Sequence, residues 1–301
     1  MRVADVSPHA LRALGAAAGV AMGVVAAKVA SALPVRYEIT HLTTGRALAR
    51  RNVAVVLVTA TCGAFLAHLA TSVPSASIGR ALFYCGINLT LVAMVVAAAA
   101  VDLEHMILPN ELTLGGTLLA LATSYFRAVG VTASVVGAVV GVALTYLPFL
   151  LYKKLRGRSG MGLGDAKLAL LAGAWMGPEG ALFVVFAGAL QSTLGAVVMR
   201  VLGLSFAVPA SVKAEIDALR EKAAAGDPEA KALLADDPMA ADLGGDEAAD
   251  VGQGTAARAD AAHTDLATMR LPMGPFLVLS CLEFLFARRA ILALFDRFLG
   301  P

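Results

Sequence analysis

The chain alternates between long apolar stretches and short polar breaks. A helix that crosses a bilayer needs about 20 consecutive apolar residues. Runs of that kind fall at 10–33, 52–73, 78–101, 108–128, 131–152, 179–203 and 272–298. A shorter run, Ala166 to Gly177, follows a Gly-rich loop. Only structures that satisfy their own backbone polar groups survive in lipid, and the Ala, Val and Leu content suits helices. The pattern predicts an all-α, polytopic membrane bundle of about eight transmembrane segments. Ala30-Ser31-Ala32 resembles a small-residue cleavage site, but the first run is long and Lys28 interrupts its end, so a retained helix is expected. Gly15, Gly19 and Gly23 recur every four residues, as do Gly137 and Gly141. Such faces let helix backbones approach closely.

Composition sharpens this picture. Of 301 residues, 58% are hydrophobic and 15% charged, where a soluble domain has roughly a quarter charged. Residues 205–270 hold thirteen of the 22 carboxylates and six of the 24 Lys and Arg, which leaves the remainder basic. That basic remainder reads as positive-inside loops and not as a nucleic-acid surface. Arg36, Arg46, Arg50 and Arg51 follow the first segment; Lys153, Lys154, Arg156 and Arg158 follow the fifth. The rule puts both loops in the cytoplasm, the N-terminus outside, and residues 102–107 and 205–270 in the cytoplasm by alternation. Arg288 and Arg289 fit this scheme less well. Cys62, Cys85 and Cys281 lie in apolar runs without metal spacing and read as embedded thiols.

Three parts follow: a membrane bundle at 1–204, an acidic insert at 205–270, and a last transmembrane segment at 271–301. Within the insert, Val212 to Leu234 has helical composition, with Asp227-Pro228 as a restart. From Asp236 to about Asp265 the chain is Ala, Asp and Gly, a composition expected to be disordered.

Outside the insert only nine carboxylates remain, and ionisable groups at membrane depth are functional candidates. Asp102, Glu104, Glu111 and Asp165 lie beside segments on the expected cytoplasmic side. Asp102 ends the run Ala97-Ala98-Ala99-Ala100-Val101; taken alone, it reads as well as a boundary marker. Pro109 and Asn110 then supply helix-start signals. Asp165 follows Gly160-Met161-Gly162-Leu163-Gly164 and opens an apolar helix, whose dipole favours an ionised carboxylate. A helix cap after a flexible loop is the alternative reading of Asp165. As a pair the two are more informative. Two carboxylates sharing a site cannot both ionise easily, so one keeps a proton while the other takes one from water.

Gly162-Leu163-Gly164-Asp165-Ala166-Lys167 resembles the Gly-x-Gly-Asp signature of membrane aspartyl proteases. Val101-Asp102-Leu103-Glu104-His105-Met106-Ile107-Leu108-Pro109-Asn110 resembles the partner motif of the type IV prepilin peptidases, and Leu271-Pro272-Met273-Gly274-Pro275-Phe276 that family's C-terminal element. The resemblance covers about 75–200 and 271–290. It implies a bacterial inner-membrane aspartic endopeptidase that cuts the basic leader from prepilins or pseudopilins on the cytoplasmic side, serving type IV pili or type II secretion. Asp102 and Asp165 match the catalytic positions; Gly162, Gly164, Lys167 and Pro109 would support them. No cofactor is implied for cleavage, and S-adenosylmethionine only if N-methyl transfer is retained. Partners would be prepilin substrates and membrane lipid, with no nucleic acid and no metal. Three departures stand out. Asn110 replaces a common Asp, residues 34–51 lack the four-Cys zinc subdomain of many members, and the insert is not part of the pattern. The rival reading is an ion-coupled transporter or channel using the same Asp residues, although such groups usually sit near the bilayer midplane.

Reporter fusions at Arg46, Arg158 and Ala240 should all give a cytoplasmic signal. A periplasmic signal at Arg158 would put Asp165 on the opposite side from Asp102 and remove the shared site.

Overall fold

In the computed structural model, which describes residues 2–39, 42–156, 163–204, 209–236 and 272–299, the apolar runs become helices. They are α1 (Pro8–Arg36), α2 (Gly45–Thr71), α3 (Ile78–His105), α4 (Asn110–Thr123), α5 (Gly130–Arg156), α6 (Leu163–Met176), α7 (Pro178–Val201), α8 (Ala210–Ala224), α9 (Pro228–Asp236) and α10 (Gly274–Leu299). Among the described residues no strand forms beyond an isolated bridge between Arg2 and Ser77. The fold is an all-α polytopic membrane bundle.

Among the described residues five helices are long and apolar enough to cross a membrane: α1, α2, α3, α5 (over Gly130–Leu151) and α7. The expected segment at 108–128 is instead the 14-residue α4 and a 3-10 turn at Ser124–Phe126. At 1.5 Å per residue, α4 and the 14-residue α6 each extend only about 21 Å. Neither has to span, because α6 is enclosed by α4, α5, α7 and α10. Its residues from Leu168 through Met176 are buried except Leu170. The last helix, α10, bends at Ala287 (φ −107°, ψ 15°), immediately before the Arg288/Arg289 pair. The Arg288 guanidinium lies over the Phe284 ring at 6.0 Å.

The glycine faces do what their spacing predicts. A Cβ at Gly19 would lie 2.6 Å from Ala60 Cα, and one at Gly23 2.7 Å from Val56 Cα, so α1 and α2 pack backbone to backbone. On α5, a Cβ at Gly141 would lie 2.7 Å from the Ala169 carbonyl carbon of α6. Gly137 meets Gly173 of α6 in the same way. In lipid, where apolar side chains gain little from leaving the solvent, such close van der Waals contact is a main source of helix association.

Cross-links tie the basic stretch between α1 and α2 to the end of α3 and the start of α4. Tyr37, after α1, donates its hydroxyl to Glu111 Oε2 on α4 at 2.9 Å. Arg51 on α2 pairs with Glu104 on α3 at 2.7 Å, with both side chains largely buried. At the opposite end Arg127 donates to the Trp175 carbonyl at 2.5 Å and to the Ala174 carbonyl at 3.2 Å, capping α6. Its guanidinium also stacks 4.9 Å from the Trp175 ring centroid. Trp175 in turn donates to Asn88 Oδ1 on α3 at 3.2 Å.

Part of the insert is a helical pair. Asp227 Oδ1 accepts from the Glu229 N–H at 2.9 Å and restarts the chain as α9, as Asp227-Pro228 predicts. Most of the Asp236–Asp265 stretch expected to be disordered, together with Gly162 and Leu271, lies outside the described residues.

Gly141→Leu should lower the stability of the detergent-solubilised protein by about 1–3 kcal/mol, the usual cost of overpacking. Gly115→Ala, where nothing lies within 4 Å of a new Cβ, should be neutral or gain roughly 0.5–1 kcal/mol of helix propensity. Equal thermal shifts for the two would mean that the α5–α6 contact is looser than described.

Candidate functional site

Asp102 stands in the last turn of α3 and is only 6% exposed. The helix ends because Met106 takes a left-handed conformation (φ 53°) that few non-glycine residues adopt. Its N–H closes the turn on the Asp102 carbonyl at 2.8 Å. A short loop leads to Pro109, whose fixed φ of −62° suits the cap position of α4. The Pro109 carbonyl accepts the Thr113 hydroxyl at 3.0 Å.

Asp165 lies in the first turn of α6, half-buried, with Leu163 two residues before it. Its carboxylate is the charge that acts on Asp102, so the folded chain brings together two groups separated by α4 and α5. Gly164 allows this. A Cβ there would meet Leu108 Cδ1 at 3.0 Å and Leu108 Cβ at 3.2 Å, so the loop after α3 packs directly on the start of α6.

A third element completes the arrangement. α10 begins at Gly274, and its backbone lies against Asp102: an added Cβ would be 2.9 Å from Asp102 Cγ and still closer to Oδ2. The Gly274 N–H is the backbone donor that bears on this carboxylate. The N-terminus of α10 therefore points toward Asp102, and that end of a helix favours negative charge. Asp102 Oδ2 is buried and makes no hydrogen bond among the described residues. A buried polar atom of that kind is uncommon and is found at reactive sites. Gly274 was legible only as part of a motif; nothing in its spacing indicated that it touches Asp102.

The other residues singled out by sequence divide. Lys167 Nζ donates to Asn110 Oδ1 at 2.8 Å and so ties α6 to α4. Among the described residues no ion pair joins Lys167 to Asp165, although the sequence puts them two apart. Glu104 is held by Arg51, which also donates to Ser31 on α1 and to Asn52 Oδ1 at 2.8 Å. That network ties α1, α2 and α3 together. Glu111 is exposed; its own backbone N–H at the start of α4 and the Tyr37 hydroxyl hold its carboxyl below the ordinary value. Among the described residues no group of three or more His, Cys, Asp or Glu side chains could hold a metal ion. Cys62, Cys85 and Cys281 are unpaired, and Cys62 and Cys281 are buried.

Residues 89–199, which run from the middle of α3 through most of α7, match the type IV leader peptidase family. They contain Asp102, Pro109, Gly164, Asp165 and Lys167. That segment is similar to the type IV leader peptidase family.

Prepilin leader peptidase/N-methyltransferases are among its similar proteins. One from Neisseria gonorrhoeae is 34% identical over 115 residues, 38% of this chain and 40% of that protein. One from Xanthomonas campestris pv. campestris is 36% identical over 113 residues, 36% of this chain and 37% of the other. A third, from Dichelobacter nodosus, is 31% identical over 125 residues, 41% and 43% of the two chains. The chain thus spans about two fifths of the length of these relatives. No solved structure matches it. The matched segment holds both Asp residues but stops short of α8, α9 and Gly274.

Gly274→Ala should destabilise the protein by about 1–3 kcal/mol by driving a methyl group into Asp102. In an Asp102→Ala background the same change should cost less than about 0.5 kcal/mol, since contacting residues are non-additive. Equal costs in both backgrounds, read from unfolding in detergent, would place Gly274 away from the carboxylate.

Proposed function

We propose that the protein is an aspartic endopeptidase of the inner membrane that removes the basic leader from type IV prepilins or pseudopilins. The observation that carries this reading is the meeting of Asp102 and Asp165 at the basic end of the bundle. By the positive-inside rule that end faces the cytoplasm. Names of the relatives supply the substrate class. The membrane bundle at 1–204 carries the pair, the insert at 205–270 lies on the cytoplasmic side, and the segment 271–301 closes the site through Gly274.

The chemistry follows from the environments of the two acids. Asp165, half-buried at a helix N-terminus, is the ionised partner; the more deeply buried Asp102 keeps the proton. The Asp165 carboxylate takes a proton from water as the water oxygen adds to the scissile carbonyl carbon. Asp102 gives its proton to the carbonyl oxygen, and the Gly274 N–H stabilises the carboxylate left behind. The tetrahedral diol then collapses: the C–N bond breaks, a proton passes to the leaving amine, and the pair regains one shared proton. The two acids titrate as a unit, so activity should fall on both sides of an optimum. Cleavage in this reading uses no cofactor. S-adenosylmethionine enters only as methyl donor if the chain also carries out the transfer for which its relatives are named.

Asp102→Asn and Asp165→Asn should each abolish leader cleavage of a co-expressed prepilin, seen as loss of a leader-sized mobility shift, with membrane insertion unchanged. The double variant should be no worse than either single one. Asp102→Glu should lose about a hundredfold in rate, because about 1 Å of misplacement is enough. Glu111→Gln, at an exposed carboxylate on the same end, should keep substantial activity. Glu104→Gln is a poorer control, since it breaks the buried Arg51 pair. Near-normal processing by Asp165→Asn would show that the pair is misassigned.

A further inference from the structure

The part of the insert that folds does not lie apart from the bundle. α8 is a charged helix carrying Lys213, Glu215, Asp217, Glu221 and Lys222, yet its Ile216 is only 2% exposed. Ile216 packs with Met106, Val212 and Leu234, so α8 lies against the end of α3 with α9 packed on α8. Beside it the Ser211 hydroxyl lies 3.2 Å from Nδ1 of His105, a ring that is itself 2% exposed. His105 and Met106 form the turn that ends α3. Met106 is held in a left-handed conformation, and its N–H closes on the carbonyl of Asp102.

We infer that the α8–α9 pair is a positioning element for the site: Ile216 and Ser211 hold the His105–Met106 turn, and through it they set the Asp102 carboxylate against Asp165. The inference rests on the reading of Asp102 as a catalytic acid. The physical case has three parts. Helix ends fray, and a left-handed non-glycine residue is an uphill way to end one. Such a conformation persists where surrounding packing holds it, and here the Met106 side chain is packed against Ile216. The carboxylate sits within that same last turn, so opening of the turn displaces it directly. Ile216 and Ser211 touch no reacting atom in this arrangement; they act through the backbone of α3. They also lie outside the segment shared with the leader peptidase relatives, so this chain supplies the support from its own insert.

The test uses the full chain in detergent with a prepilin substrate. Ile216→Asp should lower kcat about tenfold or more while leaving KM within about twofold, as expected for a misplaced catalytic group. Ile216→Leu should restore kcat, and Ser211→Ala should lower it less than Ile216→Asp does. Replacing residues 238–265 with a short Gly/Ser linker should leave kcat unchanged. Amide hydrogen exchange over 103–108 should quicken in Ile216→Asp, a readout that needs no activity. Unchanged exchange would overturn the inference whatever the wild type does with prepilin. Faster exchange with unchanged kcat, a rise in KM alone, or an equal loss in Ile216→Leu would overturn it as well. A wild-type protein that does not cleave prepilin at all would instead overturn the peptidase reading, leaving the exchange result to judge whether the pair holds the turn.

Discussion

Taking a carboxylate out of water is costly unless hydrogen bonds, opposite charge or a shared proton offset it. Asp102 is almost fully enclosed, and no cation neutralises it among the described residues. What surrounds it is the end of one helix, the beginning of two others, and a second carboxylate. The bundle is arranged around that constraint. Asp102 lies in the last turn of α3, Asp165 in the first turn of α6, and α10 begins with its N-terminus on Asp102. Three helix ends must coincide, and each does so because a special residue permits it. Met106 turns the chain out of α3, Gly164 lets Leu108 lie against α6, and Gly274 lets α10 approach the carboxylate.

The rest of the membrane region serves that convergence. α6 is too short to cross a bilayer, so it needs neighbours on every side. Gly137 and Gly141 give it one by bringing α5 within backbone contact. Arg127 and Trp175 fix its far end, while the packing of Leu108 fixes the near one. A carboxylate on a helix held at both ends has little freedom to wander, which is what proton transfer over a hydrogen-bond length requires.

The polar residues around the pair hold structure as well as charge. Arg51 and Glu104 join three helices near the basic end, and Lys167 ties α6 to α4 through Asn110. Asn110 accepts from Lys167 through its amide oxygen, so this contact carries no carboxylate charge. Lys167 is thereby directed to α4 and forms no ion pair with Asp165 among the described residues.

The amino-acid sequence by itself determined the fold class, the helical runs and the small-residue faces, and it singled out the two candidate Asp residues. These follow from local rules: apolar runs of bilayer length form helices, glycines four apart share a face, and an ionisable group beside an apolar segment is rarely accidental. It even marked the restart at Asp227-Pro228, because a cap followed by proline is a local signal. Tertiary structure alone decided how the segments divide. A run such as 108–128 looks long enough to span, and only its turn at Ser124–Phe126 and its packing on α6 make it a short inner helix. It alone decided that Gly274 meets Asp102, that Lys167 binds Asn110, and that Ile216 lies over Met106. Each joins residues far apart in the chain or on separate helices, and no periodicity along a chain encodes which helix end meets which.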